Sequence, residues 1–206
     1  MQEQQAIEQI RIIRETMQRA SRQFFTSPWQ FIEWGILIFL GCLATLIMQA
    51  NNATEHLAML WIGIFIIGGA LESISWLQEA SKKGVDPLTP YFMKIWWVFL
   101  SLIAFGVIFT LVFYQLGQPL YIVGLWHCLM GVAVYNLVLL GDHREFIWFG
   151  TLQWVAGLLA LTVLYEHAVW VAMFGFGISC TLMGIYFLIK EKRRPEKELV
   201  KEETIR

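Results

Sequence analysis

Charge is what this sequence has too little of for a water-soluble domain. Asp, Glu, Lys and Arg make up 15% of its 206 residues, where soluble globular chains run near a quarter. Hydrophobic residues fill the deficit at 57%, and the mean hydropathy of +0.57 places the chain in the membrane class. Cysteine is also scarce: Cys42, Cys128 and Cys180 are odd in number, lie inside apolar runs and lack metal-type spacing, so no disulfide framework is expected and the thiols are inert. None of the five prolines follows a glycine inside an apolar run, so the broken helices that transport paths use are not expected. The first 25 residues have no signal-peptide core or small-residue cleavage site, so nothing is predicted to be removed.

Motifs for chemistry are missing as well. There is no Ser-His-Asp or Cys-His set, no phosphate loop and no nucleic-acid motif. Gly175-Phe176-Gly177 lies in the middle of an apolar run and is no nucleotide loop, and Asn52-Ala53-Thr54, a glycosylation sequon in form, lies against the membrane. No enzyme activity, no cofactor and no nucleic-acid partner are expected.

What is present starts with residues 168–189, an uncharged stretch of 22 residues long enough to cross about 30 Å of hydrocarbon as a helix. The cationic run Lys190-Glu191-Lys192-Arg193-Arg194 follows it and marks a cytoplasmic end. Six spans are predicted, at 29–49, 57–78, 95–115, 120–140, 146–164 and 168–189, with short connections that force neighbours antiparallel. Running back from the tail, both termini fall in the cytoplasm. All 15 Lys and Arg residues then lie inside, and the outer turns near 51–56, 116–119 and 165–167 hold none. Three regions result: a cytoplasmic amphipathic helix within 1–28, an all-α transmembrane domain at 29–189 and a charged cytoplasmic tail at 190–206.

Within the first region, residues 5–25 place Ile10, Ile13, Met17, Ala20 and Phe24 on one helical face and Arg11, Glu15, Arg19 and Arg22 on the other. That pattern fits an interfacial helix on an anionic leaflet, or a short seam that pairs copies or docks a partner. Ser27-Pro28 ends it. An internal repeat is also visible. FIEWGILIFLGCLATL at 31–46 lies on FIWFGTLQWVAGLLAL at 146–161, and the turns that follow carry Glu55-His56 and Glu166-His167. With 95–140 between them, the spans are expected to form three helical hairpins, the first and third as a parallel repeat.

Polar residues inside the spans are the candidates for function, because lipid offers them no partner. Small residues mark the inward faces: Gly68 and Gly69 beside Glu72, Gly124 and Gly131 beside His127, Gly150 and Gly157 around Gln153. Gly175-Ser179, Gly177-Thr181 and Cys180-Gly184 make the last span the expected central packing helix. By depth, Glu33, Glu72, Asn136 and Gln153 form an inner polar layer. Two close carboxylates there would make a proton or cation site. As plain structure, Glu33 would snorkel to the cytosol while Glu72 bonds Asn136 or Gln153, or pairs with Arg144 or His143. An outer layer holds Glu55, His56, His127, Glu166 and His167 with Tyr121 and Tyr165, where His56, His127, His167 and Glu166 are candidate ligands for zinc or another divalent ion. His127 is the only histidine deep in a span, so a haem axial pair is not expected.

The leader IEQIRIIRETMQRASRQF, Lys82-Lys83-Gly84, Tyr135-Asn136-Leu137, WFGTLQWVAGLLA at 148–160 and FGFGISCTLMGIYF at 174–187 together give the chain a resemblance to a group of uncharacterised bacterial six-span inner-membrane proteins. The glycine-rich hairpins also resemble those of six-span acid-resistance membrane proteins, from which the clustered tryptophans and the leader depart. Either resemblance implies a multi-pass protein of the bacterial inner membrane, and neither implies a catalytic residue. The expected function is that of a sensor, regulator or accessory subunit, with the bilayer, a partner held through 5–25 and 190–206, or a second copy as its contacts. The alternative is a small proton or cation transporter built on Glu72.

Overall fold

The structure, a computed structural model, describes residues 27–83, 90–140 and 144–205. The predicted amphipathic helix at 5–25 and His143 lie outside these residues. The described residues are helical throughout, without a strand. In chain order they form α1 (Pro28–Ala50), a 3-10 turn (Thr54–His56), α2 (Leu57–Lys83), α3 (Pro90–Gln115), α4 (Tyr121–Leu140) and α5 (Glu145–Leu161). A second 3-10 turn (Tyr165–His167), α6 (Ala168–Ala172), a π-helical segment (Met173–Ile178) and α7 (Ser179–Ile205) complete the chain. The last three form one continuous rod.

Among the described residues, five helices are long and apolar enough to cross a membrane: α1, α2, α3, α4 and the last rod. Six crossings were expected, and the remaining helix, α5, is apolar but only 17 residues long. The two stretches aligned in the sequence differ in length here. Gly35 and Gly150 are 115 positions apart but Glu55 and Glu166 are 111 apart, so four residues, about one helical turn, are missing between them. Dropping a whole turn preserves the inward face. The turns that follow are built alike: the Ala53 N–H donates to the Met48 carbonyl at 2.9 Å and the Leu164 N–H to the Leu159 carbonyl at 2.8 Å, each closing a helix before a Glu-His turn.

Packing is uneven. α4 lies along α5, and the last rod lies along α1, with glycines at both crossings. A Cβ on Gly157 would stand 2.6 Å from the Cys128 sulfur, and one on Gly35 would stand 2.7 Å from the Gly177 carbonyl. Such approaches allow only hydrogen at these positions, which lets dispersion hold the helices together where lipid removes any hydrophobic drive. Phe146, Phe149, Val134, Leu137, Cys180 and Phe187 form a buried core among these rods. α2 packs on α1 and α3 on α4, and most of their remaining surface is exposed. Gly63 and Gly69 on α2 have nothing within 4 Å of an added Cβ, so the small-residue face expected around Glu72 is only half used: Gly68 packs on Trp34, and Gly69 is open.

The last rod departs from the regular helix expected for 168–189. At its centre the Ser179 N–H reaches back five residues to the Phe174 carbonyl and bypasses the Gly175 carbonyl. The absence of a Gly-Pro break gave no sign of this. A π segment needs a partner for the carbonyl it bypasses, and here a side chain from α5 provides one.

Candidate functional site

That side chain is Gln153, fully buried at 0% exposure. Its Nε2 donates to the Gly175 carbonyl at 2.8 Å and to the Ser179 hydroxyl at 3.2 Å. Ser179 in turn donates to the same Gly175 carbonyl. A backbone carbonyl can only accept, so the amide orientation is fixed and Gln153 Oε1 faces His127 Nδ1 at 2.7 Å. The imidazole therefore carries its proton on Nδ1. Its Nε2 is a bare lone pair, buried without a hydrogen-bond partner among the described residues. Gly175 makes this approach possible, since a Cβ there would sit 3.1 Å from His127 Cε1. Phe176 meets the ring edge-on at 6.0 Å. One amide thus ties α4, α5 and the π segment together.

The second polar cluster lies between α1 and α2. The Trp34 indole donates to Glu72 Oε2 at 3.0 Å, and the Ser75 hydroxyl donates to Glu33 Oε1 at 3.1 Å. Gly68 sits one turn before Glu72 and leaves room for the indole, which would be 2.7 Å from a Cβ there. Both carboxylates are half-buried.

The expected inner layer therefore divides. Glu33 and Glu72 each take a hydrogen bond across the α1–α2 contact, but Gln153 is spent on His127 and the π segment, and Asn136 donates to the Val132 carbonyl of its own helix at 2.9 Å. Glu72 bonds neither Asn136 nor Gln153 in the described hydrogen bonds. The partner that sequence reasoning missed is Trp34, whose signal was its place one residue after Glu33, facing a glycine.

The outer layer does not assemble either. His127 is in the core, whereas His56 and His167 stand on exposed 3-10 turns, His56 beside Glu55 at 3.4 Å. Glu166 is exposed on the second turn. Among the described residues, no three His, Cys, Asp or Glu side chains converge as metal ligands. At the N-terminal end of α5, Glu145 holds Lys190, and Tyr186 donates to the same carboxylate at 3.2 Å. Partial burial pushes the Glu145 carboxyl up, but the bond from Lys190 and its charge outweigh this and hold it below the usual carboxylate range.

Comparison with protein-family models, curated proteins and solved structures returns no match. The functional reading therefore rests on the geometry of these two clusters.

Proposed function

We propose that this is a six-crossing protein of the cytoplasmic membrane, built as three helical hairpins with both termini in the cytosol. It carries out no chemistry of its own and acts as a sensor, regulatory or accessory subunit through protein contacts. The 17 residues of α5 rise about 26 Å and, with 162–164, complete a sixth crossing of a locally thinned bilayer. The placement of every Lys and Arg on one side supports the orientation.

The observation that carries this reading is the expenditure of Gln153. Its amide, the most deeply buried polar side chain among the described residues, uses its oxygen and nitrogen to fasten three helical segments. A group so committed is structural glue and has no bond left for a passing ion. Reconstituted into liposomes, wild type and Glu72→Gln are expected to hold a proton gradient equally well. In native membranes, a stoichiometric partner is expected to co-purify with the intact chain and to be lost when 5–25 or 190–206 is removed.

One observation favours a second reading. Glu33 and Glu72 are both half-buried and bonded across the same α1–α2 contact, and two carboxylates held close together can share a proton or take a cation. A proton or cation flux that Glu72→Gln abolishes would replace the first reading with this one.

A further inference from the structure

The glycine contacts recur at fixed spacings, and the recurrence exposes one junction that the fold leaves unmade. Where the last rod crosses α1, a Cβ on Gly177 would meet Phe39 at 3.0 Å and one on Gly35 would meet the Thr181 N–H at 2.6 Å. Where α4 crosses α5, Gly131 meets Trp154 and Gly150 meets Tyr135 at 3.4 Å. Phe39 and Trp154 are 115 apart, as are Gly35 and Gly150; Gly131 and Gly177 are 46 apart, as are Tyr135 and Thr181. The same lock is used twice.

A second contact links the first two pairs of helices. Gly41 on α1 meets the Trp61 ring of α2 at 3.3 Å, and Gly106 on α3 meets the Trp126 ring of α4 at 2.8 Å, with 65 positions separating each member from its counterpart. The two Glu-His turns set α2 and the last rod 111 apart, and 111 less 65 is the 46 found between α4 and the last rod. The spacings agree, so α2, α4 and the last rod are equivalent, and so are α1, α3 and α5.

By this register, the third lock brings α2 against α3. It pairs Ile66, equivalent to Gly131 and Gly177, with Ala104, equivalent to Phe39 and Trp154. It also pairs Ala70 with Leu100. Large and small have exchanged sides, which keeps the fit. Yet all four residues are exposed, Ile66 at 67% and Leu100 at 50%. One contact of this junction does exist. Trp76 and Trp96 meet at 5.9 Å, and their equivalents across the last rod and α1, Phe187 and Phe31, meet at 5.8 Å. That contact lies at the cytoplasmic end, where the chain itself joins α2 to α3.

Glu72 gives the open junction its meaning. Its equivalents are Leu137, which is buried, and Met183, which packs against the core. The chain has put a carboxylate where its other two repeats put an apolar core residue, on the helix whose seam with α3 is open among the described residues.

We propose that the α2–α3 seam is a lateral gate, anchored at Trp76 and Trp96, that shuts by seating Ile66 on Ala104 and Ala70 on Leu100 and thereby closes Glu72 off from the bilayer. The occupant of the exposed α2 face is α3 of the same chain, because the aromatic contact already made is intrachain and in register. A dissolved lipid cannot satisfy a carboxylate, so shutting the seam removes polar surface from hydrocarbon. This inference rests on the three-hairpin reading.

The test uses the full-length chain in membranes, with Cys42, Cys128 and Cys180 replaced by Ala. Ile66→Cys with Ala104→Cys is expected to form a disulfide within the monomer on mild oxidation, as is the inner pair Trp76→Cys with Trp96→Cys. A crosslink in the inner pair alone overturns the gate, and a dimer-sized product at 66 and 104 overturns it in favour of a second copy. Failure of the underlying topology shows up separately: single cysteines at Asn52, Gln118 and Glu166 must all react with an impermeant thiol reagent from the outside. As a readout without core substitutions, the lipid-soluble reagent dicyclohexylcarbodiimide is expected to modify Glu72 in the natural sequence and not in Glu72→Gln. Locking the Ile66→Cys and Ala104→Cys pair is expected to block that modification. A folded wild-type chain that escapes modification, or a locked one still modified, overturns the proposal.

Discussion

The α4–α5 crossing and the exposed flank of α2 contain the same kinds of residue and use them differently. In α4–α5, Gly124, Gly131, Gly150 and Gly157 each receive an atom from the facing helix. On α2, Gly63 and Gly69 receive none. A small residue in a membrane helix is an offer of close approach, and only a matching bulky group opposite completes it. Trp154 and Leu161 do so for α4, and Trp34 does so for Gly68 alone on α2.

The strongest way to break this contrast is to fill both kinds of glycine. Gly157→Leu pushes a side chain into the Cys128 sulfur and the Gly124 carbonyl, and we expect a loss of about 3 kcal/mol or more by overpacking, read as thermal unfolding in detergent by tryptophan fluorescence. Gly63→Ala is expected to leave the transition unchanged or raise it, because helix propensity gains up to about 1 kcal/mol and nothing is struck. Equal losses at both sites would mean that the α2 flank is covered in the membrane.

Next in size is the polar tie. Gln153→Leu strands the His127 Nδ1–H and deprives the Gly175 carbonyl of its α5 donor, at an expected cost of about 2–3 kcal/mol. Asn136→Leu removes a bond to its own helix only and should cost less than about 1 kcal/mol. Titration with a denaturing detergent compares the two, and equal midpoints would refute the special place of Gln153. Trp34→Phe keeps a ring in the core and removes the donor to Glu72, for which we expect about 1 kcal/mol and, in the same titration, a larger loss than for Trp126→Phe.

The smallest effect is at the Glu145–Lys190 pair. Glu145 is held below its ordinary carboxylate value by Lys190, so its contribution is complete above the ordinary range and is lost as the pH falls through the lower value of the folded state. Glu145→Gln is expected to cost at most about 1 kcal/mol near neutral pH and nothing at strongly acid pH. A difference that grows on acidification would contradict the pairing.

How far the sequence could be followed differs between helices. The helical runs and the matched Glu-His turns follow from hydropathy and from spacing, whereas the 17-residue length of α5 was not expected from a span at 146–164. Gln153 was legible as an inward-facing residue, since it sits between Gly150 and Gly157 on one face. Its partner was not, because depth alone sets Gln153 level with Glu72 and Asn136, whereas helix rotation turns it to His127. The π segment was hidden for a similar reason. Gly175-Phe176-Gly177 is compatible with either winding, and the choice was made by an amide 22 residues away. Asn136 looked available for the same layer and instead satisfies itself locally, as a single polar side chain in an apolar helix does when nothing faces it.

By itself the sequence determined the all-helical character of this protein and apolar runs compatible with a membrane, because a charge-poor chain with long apolar runs can satisfy its backbone in lipid only by coiling each run on itself. It also set the registers at which glycine and aromatic residues recur. Only the tertiary structure decided which of those registers meet. Contact in a membrane depends on surface fit between whole helices, and fit is a property of two faces at once: Gly131 with Trp154 and Gly177 with Phe39 closed, while Ile66 and Ala104 stayed apart.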